Sequence, residues 1–159
     1  MPELPEVETT RRGIEPYLIS REAQYINIRN SKMRWPIEEA VRELIGQKMQ
    51  SIERRAKYIL IRSNAGTLIL HLGMSGSLRI CPSDTEFKKH DHFVIGLGDH
   101  IEMRLHDPRR FGAVLWHRKC DGPVYEHPLL RHLGPEPLSS DFDATYLANR
   151  CKNKKTTIK

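Results

Sequence analysis

Between residues 48 and 118 the chain is cut into short apolar runs separated by tight polar breaks, and this rhythm limits the architecture more than any other feature. Segments 48–54, 57–63, 67–73, 77–80, 92–97, 100–106 and 113–118 read as β-strands. Asn64-Ala65-Gly66 and Gly98-Asp99 have the composition of hairpin loops. Strand following strand at this spacing argues for an antiparallel sandwich or barrel rather than βαβ winding. The predicted fold class is mainly β with flanking helices (α+β), a two-layer antiparallel β-sandwich.

The helices fall outside this block. Over 4–18, Leu4, Val7, Ile14 and Leu18 share one helical face, and Pro5 suits a first turn. Residues 23–30 alternate as a half-buried strand. A helix is expected over 36–45, opened by Pro36 and closed by Gly46. After a Gly/Pro connection at 119–126, a short helix is expected over 127–133 with Gly134 as its cap. Pro135 and Pro137 then make a stiff linker. A last helix fits 142–151, with Phe142, Tyr146 and Leu147 inward and Asp141 as N-cap. The expected organisation is a domain over 1–134, with 135–159 as a linker and helix leading on into a further domain.

At 159 residues the chain is long enough for one well-buried domain. No apolar run approaches the ~18 residues of a membrane span, and the acidic start (Glu3, Glu6, Glu8) is unlike a signal peptide. Cys81, Cys120 and Cys151 lie far apart, giving neither a CxxC zinc pair nor a disulfide framework. The expectation is therefore a reducing compartment, most simply cytoplasm, with no metal in this chain and no membrane partner. Lysine and arginine number 26 against 20 acids, a formal +6. The excess gathers at Arg54-Arg55-Ala56-Lys57, from Arg104 to Arg110, and at Arg150, Lys152, Lys154, Lys155 and Lys159. Such clusters could converge on a phosphate backbone or simply be solvated surface.

Several short segments could carry chemistry, and each also has a plain structural reading. Removing Met1 from MPELPEVE would expose Pro2 as a secondary amine, and an α-amino group titrates near ~7.7–8, so a useful fraction is nucleophilic at neutral pH. Glu3 could move the protons that attack on a sugar carbon requires, and Glu6 suits the first turn of the helix. The plain reading is an ordinary helix start. Leu70-His-Leu-Gly-Met-Ser-Gly-Ser77 is a strand entering a turn, where Gly73 and Gly76 would leave Met74 at an exposed tip beside His71, or a hairpin with a packed methionine. In His106-Asp-Pro-Arg-Arg-Phe-Gly112, Arg109, Arg110 and Phe111 project from a turn. A cation beside an aromatic wedge suits a duplex being opened, although Phe111 could equally fold into the core. Lys57, expected on the strand after the basic run, and Lys155 are weak signals alone. His90-Asp91-His92 resembles a fragment of a metal site without partners.

Taken together, MPELPEVET at 1–9, ERRAKY at 53–58, LHLGMSGSLR at 70–79 and HDPRRFG at 106–112 resemble the formamidopyrimidine-DNA glycosylase (8-oxoguanine DNA glycosylase/AP lyase) family. The resemblance implies a monomeric, bacterial base-excision repair enzyme acting on damaged double-stranded DNA. Pro2 would be the nucleophile at C1′ and Glu3 the acid assisting ring opening. Lys57 would hold lesion phosphates and support elimination, and Glu6 would be an acid of the same pocket. Met74, Arg109 and Phe111 would fill the void left by the flipped nucleotide. His71 would contact phosphate and Lys155 would take part in handling 8-oxoguanine. Family members continue into a helix-two-turn-helix module and a C-terminal finger binding one zinc. The expectation here is an N-terminal catalytic domain with weak or no excision of its own. A non-catalytic DNA-binding β domain and a partner-binding β domain remain the alternatives.

Overall fold

The computed structural model describes residues 1–158. The chain runs α1 (Leu4–Leu18), β1 (Tyr25–Ile28), β2 (Ser51–Arg55), β3 (Tyr58–Arg62), β4 (Gly66–His71), β5 (Ser77–Pro82), β6 (Asp91–Gly98), β7 (Ile101–His106), β8 (Ala113–Arg118) and α2 (Ala144–Cys151). Two four-stranded antiparallel sheets result, in the orders β1-β6-β7-β5 and β2-β3-β4-β8. This is the two-layer β architecture with flanking helices that the sequence predicts.

Hydrophobic burial sets the layering. Ile59, Ile61, Leu68 and Leu70 of one sheet meet Phe93, Ile95, Met103 and Leu105 of the other, and Val7, Ile14 and Leu18 of α1 join the same core. Leu60 and Ile69 point the opposite way and are covered by Val124 and Leu130 from the segment after β8. β3 and β4 are thus buried on both faces, which is why they read as continuous apolar runs. Asp99 and His100 both take positive φ (51° and 60°) in the β6–β7 turn, matching the twist of a tight hairpin.

Three expected elements differ. Residues 36–45 do not form an α-helix: Pro36 pairs with Lys32, and only Glu39–Leu44 wind, as a 3-10 helix. The winding stops because Ala23 captures the chain, bridging Ile45 and accepting from Gly46 N–H at 2.8 Å. Residues 127–133 are successive turns, with His127 Nδ1 accepting from Leu129 N–H at 3.1 Å; seven residues before Gly134-Pro135 are too few to repay helix nucleation. Lastly, α2 is capped by Asp143, which accepts from Tyr146 N–H at 2.7 Å, rather than by Asp141. No residue of α2 is buried: Tyr146 is half-buried, while Phe142 and Leu147 are exposed. Lys159 of the terminal basic cluster lies outside the described residues. No helix among those described is long and apolar enough to cross a membrane.

Candidate active site

The N-terminus and the β2–β3 turn are brought together by charge. Glu3 caps α1 and forms a capping box with Glu6, whose Oε2 accepts from Glu3 N–H at 3.0 Å. Lys57 lies in the β2–β3 turn, not on β3 as expected, because Arg55 pairs directly with Tyr58 and leaves Ala56 and Lys57 as the loop. From there its Nζ reaches Glu3 Oε2 at 3.1 Å.

Two half-buried acids, Glu136 and Glu8, hold this junction. Glu136 accepts from Ala56 N–H at 2.6 Å, Arg54 Nη1 at 2.6 Å and Arg55 Nη1 at 3.0 Å. Arg54 also reaches Glu8 Oε1 at 3.2 Å, and Glu8 accepts from Arg11 and Arg12 on its own helix. Hydrogen bonds from Arg11, with help from Arg12 and Arg54, overcome burial and hold the Glu8 carboxyl down at about 2. Burial would raise the Glu136 carboxyl, but the Ala56 N–H and the two arginines lower it. The Arg54-Arg55 pair therefore fastens α1, the β2–β3 turn and the 133–136 segment to one another and is not a free phosphate-binding cluster. Arg104 is likewise withdrawn: it is fully buried, donates to Glu102 Oε2 at 2.7 Å and stacks on Phe87.

Glu136→Ala is expected to cost about 2 kcal/mol, because it strands three charged or backbone donors. That corresponds to a melting temperature about 4–8 °C lower for a chain of this size, read by thermal denaturation. An unchanged melting point would show that the knot contributes nothing to folding.

Beside Lys57, an open pocket of about 280 Å³ is lined by Met1, Arg34, Lys57, His71, Gly73, Met74 and Phe111. His71 Nδ1 accepts from Gly73 N–H at 2.9 Å, so the neutral ring carries its proton on Nε2 and can donate outward. Burial, then the Lys57 and Arg34 cations, push the His71 pKa below the usual value, which favours that neutral donor. Met74 and Phe111 are 40% and 45% exposed at the pocket rim. The Arg109 guanidinium lies 4.8 Å from the Phe111 ring centroid.

The structure thus gathers Lys57, His71, Met74 and Phe111 on one pocket, with Met1 at its wall, Glu3 paired to Lys57, and Arg109 against Phe111. Glu6 is exposed and supports Glu3 instead of lining the pocket. Lys155 is exposed beyond α2 and does not line it either. Arg34 was missed by sequence reasoning. Its N–H donates to Gly112 O at 3.1 Å, and its guanidinium sits 4.7 Å over Trp35, the same cation–aromatic pairing that marked Arg109 and Phe111. The His90-Asp91-His92 fragment is not a metal site: Asp91 accepts from Arg79, and no group of three His, Cys, Asp or Glu among the described residues is placed to hold a metal ion. The described residues provide no donor set for the zinc implied by the resemblance.

A family model for the formamidopyrimidine-DNA glycosylase N-terminal domain matches residues 1–114. Relatives named formamidopyrimidine-DNA glycosylase from Shewanella loihica and Escherichia coli are each 50% identical over 159 residues, covering 100% of this chain and 58% of their own length. Lactococcus lactis Fpg in complex with abasic-site DNA is 30% identical, with a TM-score of 0.85 over 96% of this chain and 57% of that one. MutM in complex with DNA containing carbocyclic 8-oxo-G is 31% identical, with a TM-score of 0.83 over 94% of this chain and 56% of its own. The chain spans 58% of the length of these curated relatives. With that sequence identity along its whole length and that fold, the chain belongs to the formamidopyrimidine-DNA glycosylase family.

Proposed function

We propose that this chain carries the catalytic apparatus of a DNA glycosylase/AP lyase that removes oxidised purines, 8-oxoguanine and formamidopyrimidines, from duplex DNA. The observation that supports it most is the Glu3–Lys57 ion pair of 3.1 Å between the helix led by Pro2 and the rim that bears His71, Met74 and Phe111. A nucleophile, a proton carrier, a phosphate-binding cation and duplex-wedging side chains then share one opening. Residues 1–134 form the catalytic unit in this reading, and 135–159 a linker and helix beyond it.

With Met1 removed, the Pro2 nitrogen lone pair forms a bond to C1′ of the flipped nucleotide. The glycosidic bond breaks, and its electron pair leaves with the base, which is protonated from solvent. Glu3 takes the proton from the Pro2 nitrogen and delivers it to O4′ as the sugar ring opens, leaving an iminium. Loss of a C2′ proton then expels the 3′ phosphate, loss of a C4′ proton expels the 5′ phosphate, and water releases Pro2. Lys57 and the His71 Nε2–H bind the phosphates flanking the lesion. Unstacking the nucleotide costs a few kcal/mol, which Met74, Phe111 and Arg109 offset by filling the void and facing the orphaned base.

The test uses duplex DNA with one abasic site and the chain with its Pro2 terminus free. Borohydride is expected to trap a covalent adduct, and without borohydride the strand is cut to leave phosphate on both ends. Binding should weaken steeply with salt. Salt-dependent binding with neither adduct nor cleavage would overturn the enzymatic reading in favour of a non-catalytic DNA-binding domain.

A further inference from the structure

Met74 and the Arg109–Phe111 pair sit on different loops, and a wedge built from two loops works only if their separation is fixed. Asp107, fully buried at the end of β7, sits where the two loops meet. Its Oδ1 accepts from Ser75 Oγ at 2.6 Å, and its Oδ2 accepts from Gly112 N–H at 2.8 Å. Ser75 Oγ in turn accepts from Arg109 N–H at 3.1 Å. The Asp107 carbonyl is occupied as well, taking Arg110 N–H at 3.2 Å and lying 3.0 Å from His92 Nε2.

The backbones also touch. Gly73 has φ +61°, and a Cβ there would lie 2.5 Å from Gly112 N and from the Phe111 carbonyl carbon. A Cβ on Gly112 would lie 2.6 Å from His71 O and 2.8 Å from Asp107 Oδ2. Glycines therefore allow the approach, and the Ser75–Asp107 bond sets its register.

We propose that Ser75 and Asp107 are positioning residues that lock the Met74 loop to the Arg109–Phe111 loop, so that the three side chains enter the duplex as one rigid wedge. This rests on the functional reading above. Ser75 adjoins Met74, and its hydroxyl holds the Arg109 backbone. Breaking the clasp lets the wedge residues move independently, and the ordering cost then falls on each binding event. Lesion discrimination is lost, while phosphate contacts made by other residues survive.

The test is Ser75→Ala, with Asp107→Asn as the stronger variant and Ser75→Thr as rescue. Binding of the chain is measured on an intact duplex and on one with an abasic site opposite 2-aminopurine, whose fluorescence reports unstacking. The Ser75→Ala chain should bind intact duplex within about twofold of wild type and lose about tenfold of its preference for the abasic duplex. It should also give a weaker fluorescence rise, and Thr should restore both. If wild type prefers the abasic duplex and Ser75→Ala keeps both preference and fluorescence, the clasp proposal fails alone. If wild type shows no preference, the functional reading fails and the clasp with it. Asp107→Asn adds the loss of carboxylate charge, and if it folds it should lose at least as much preference as Ser75→Ala.

Discussion

A chain that keeps Met1 is expected to give no borohydride-trapped adduct on abasic DNA, at least about 1000-fold below the processed chain, the scale on which losing an essential nucleophile acts. With Met1 attached, the Pro2 nitrogen is a tertiary amide, and its lone pair is committed to the carbonyl. The rotation barrier of ~18–20 kcal/mol measures how strongly that delocalisation is held. Such a nitrogen cannot attack C1′, and it has no proton for Glu3 to move. Met1 is 69% exposed at the pocket wall, so removing it should leave the core intact and both chains should melt within about 1 °C of each other. A processed Pro2→Gly chain keeps an α-amine and should still trap, more weakly because the amine is no longer preorganised in a ring. Intact mass confirms the terminus and peptide mapping locates the adduct. Equal trapping by both forms, with the adduct on Lys57, would move the nucleophile to the lysine and leave Pro2 only the residue that precedes the Glu3 helix cap.

The β-block was legible because hairpin strands carry their partners nearby in sequence. Alternation and turn residues locate all eight strands, and even the runs without alternation in β3 and β4 read as strands. The site was legible as motifs but not as a place. What brings Lys57 to Glu3 is the Arg54/Arg55–Glu136 knot, formed by residues about eighty positions apart. No local period can reveal such a pair. The same knot decides between phosphate-binding charge and solvated surface for Arg54 and Arg55: they are neither, and sequence leaves both readings open because Glu136 lies so far along the chain. Arg104 was different. Glu102 stands two residues before it on β7, and residues at that spacing share a strand face, so its ion pair was written locally. A charge that alternates in register with an opposite charge inside an apolar strand signals a buried pair.

Asp91→Ala is expected to be among the most destabilising single changes outside the hydrophobic core. The Asp91 side chain is wholly buried and accepts four contacts: Arg79 Nη1 at 2.9 Å, Arg79 Nη2 at 2.7 Å, Lys88 N–H at 2.8 Å, and His106 Nδ1 at 3.0 Å from Oδ1. Removing one partner of a buried pair costs roughly 3–5 kcal/mol. Arg79 is about a quarter exposed and can recover some hydration, which puts the expectation at about 3 kcal/mol and a melting point lower by about 6–12 °C. The pH dependence isolates the cause. Burial alone would raise the Asp91 carboxyl, but hydrogen bonds from Arg79, Lys88 N–H and His106 bring it down to about 2. An unfolded aspartate titrates near ~3.9, so the ionised form contributes about 2–3 kcal/mol that is fully present above ~pH 5 and lost as pH falls toward ~2. Urea denaturation should therefore show a wide gap between wild type and Asp91→Ala at pH 7 and a much narrower one at pH 2.5. Glu8 titrates in the same range in both chains and cancels from the difference. A gap that stays constant from pH 7 to pH 2.5 would mean that Asp91 stabilises the sheet through its shape and packing, not through its charge.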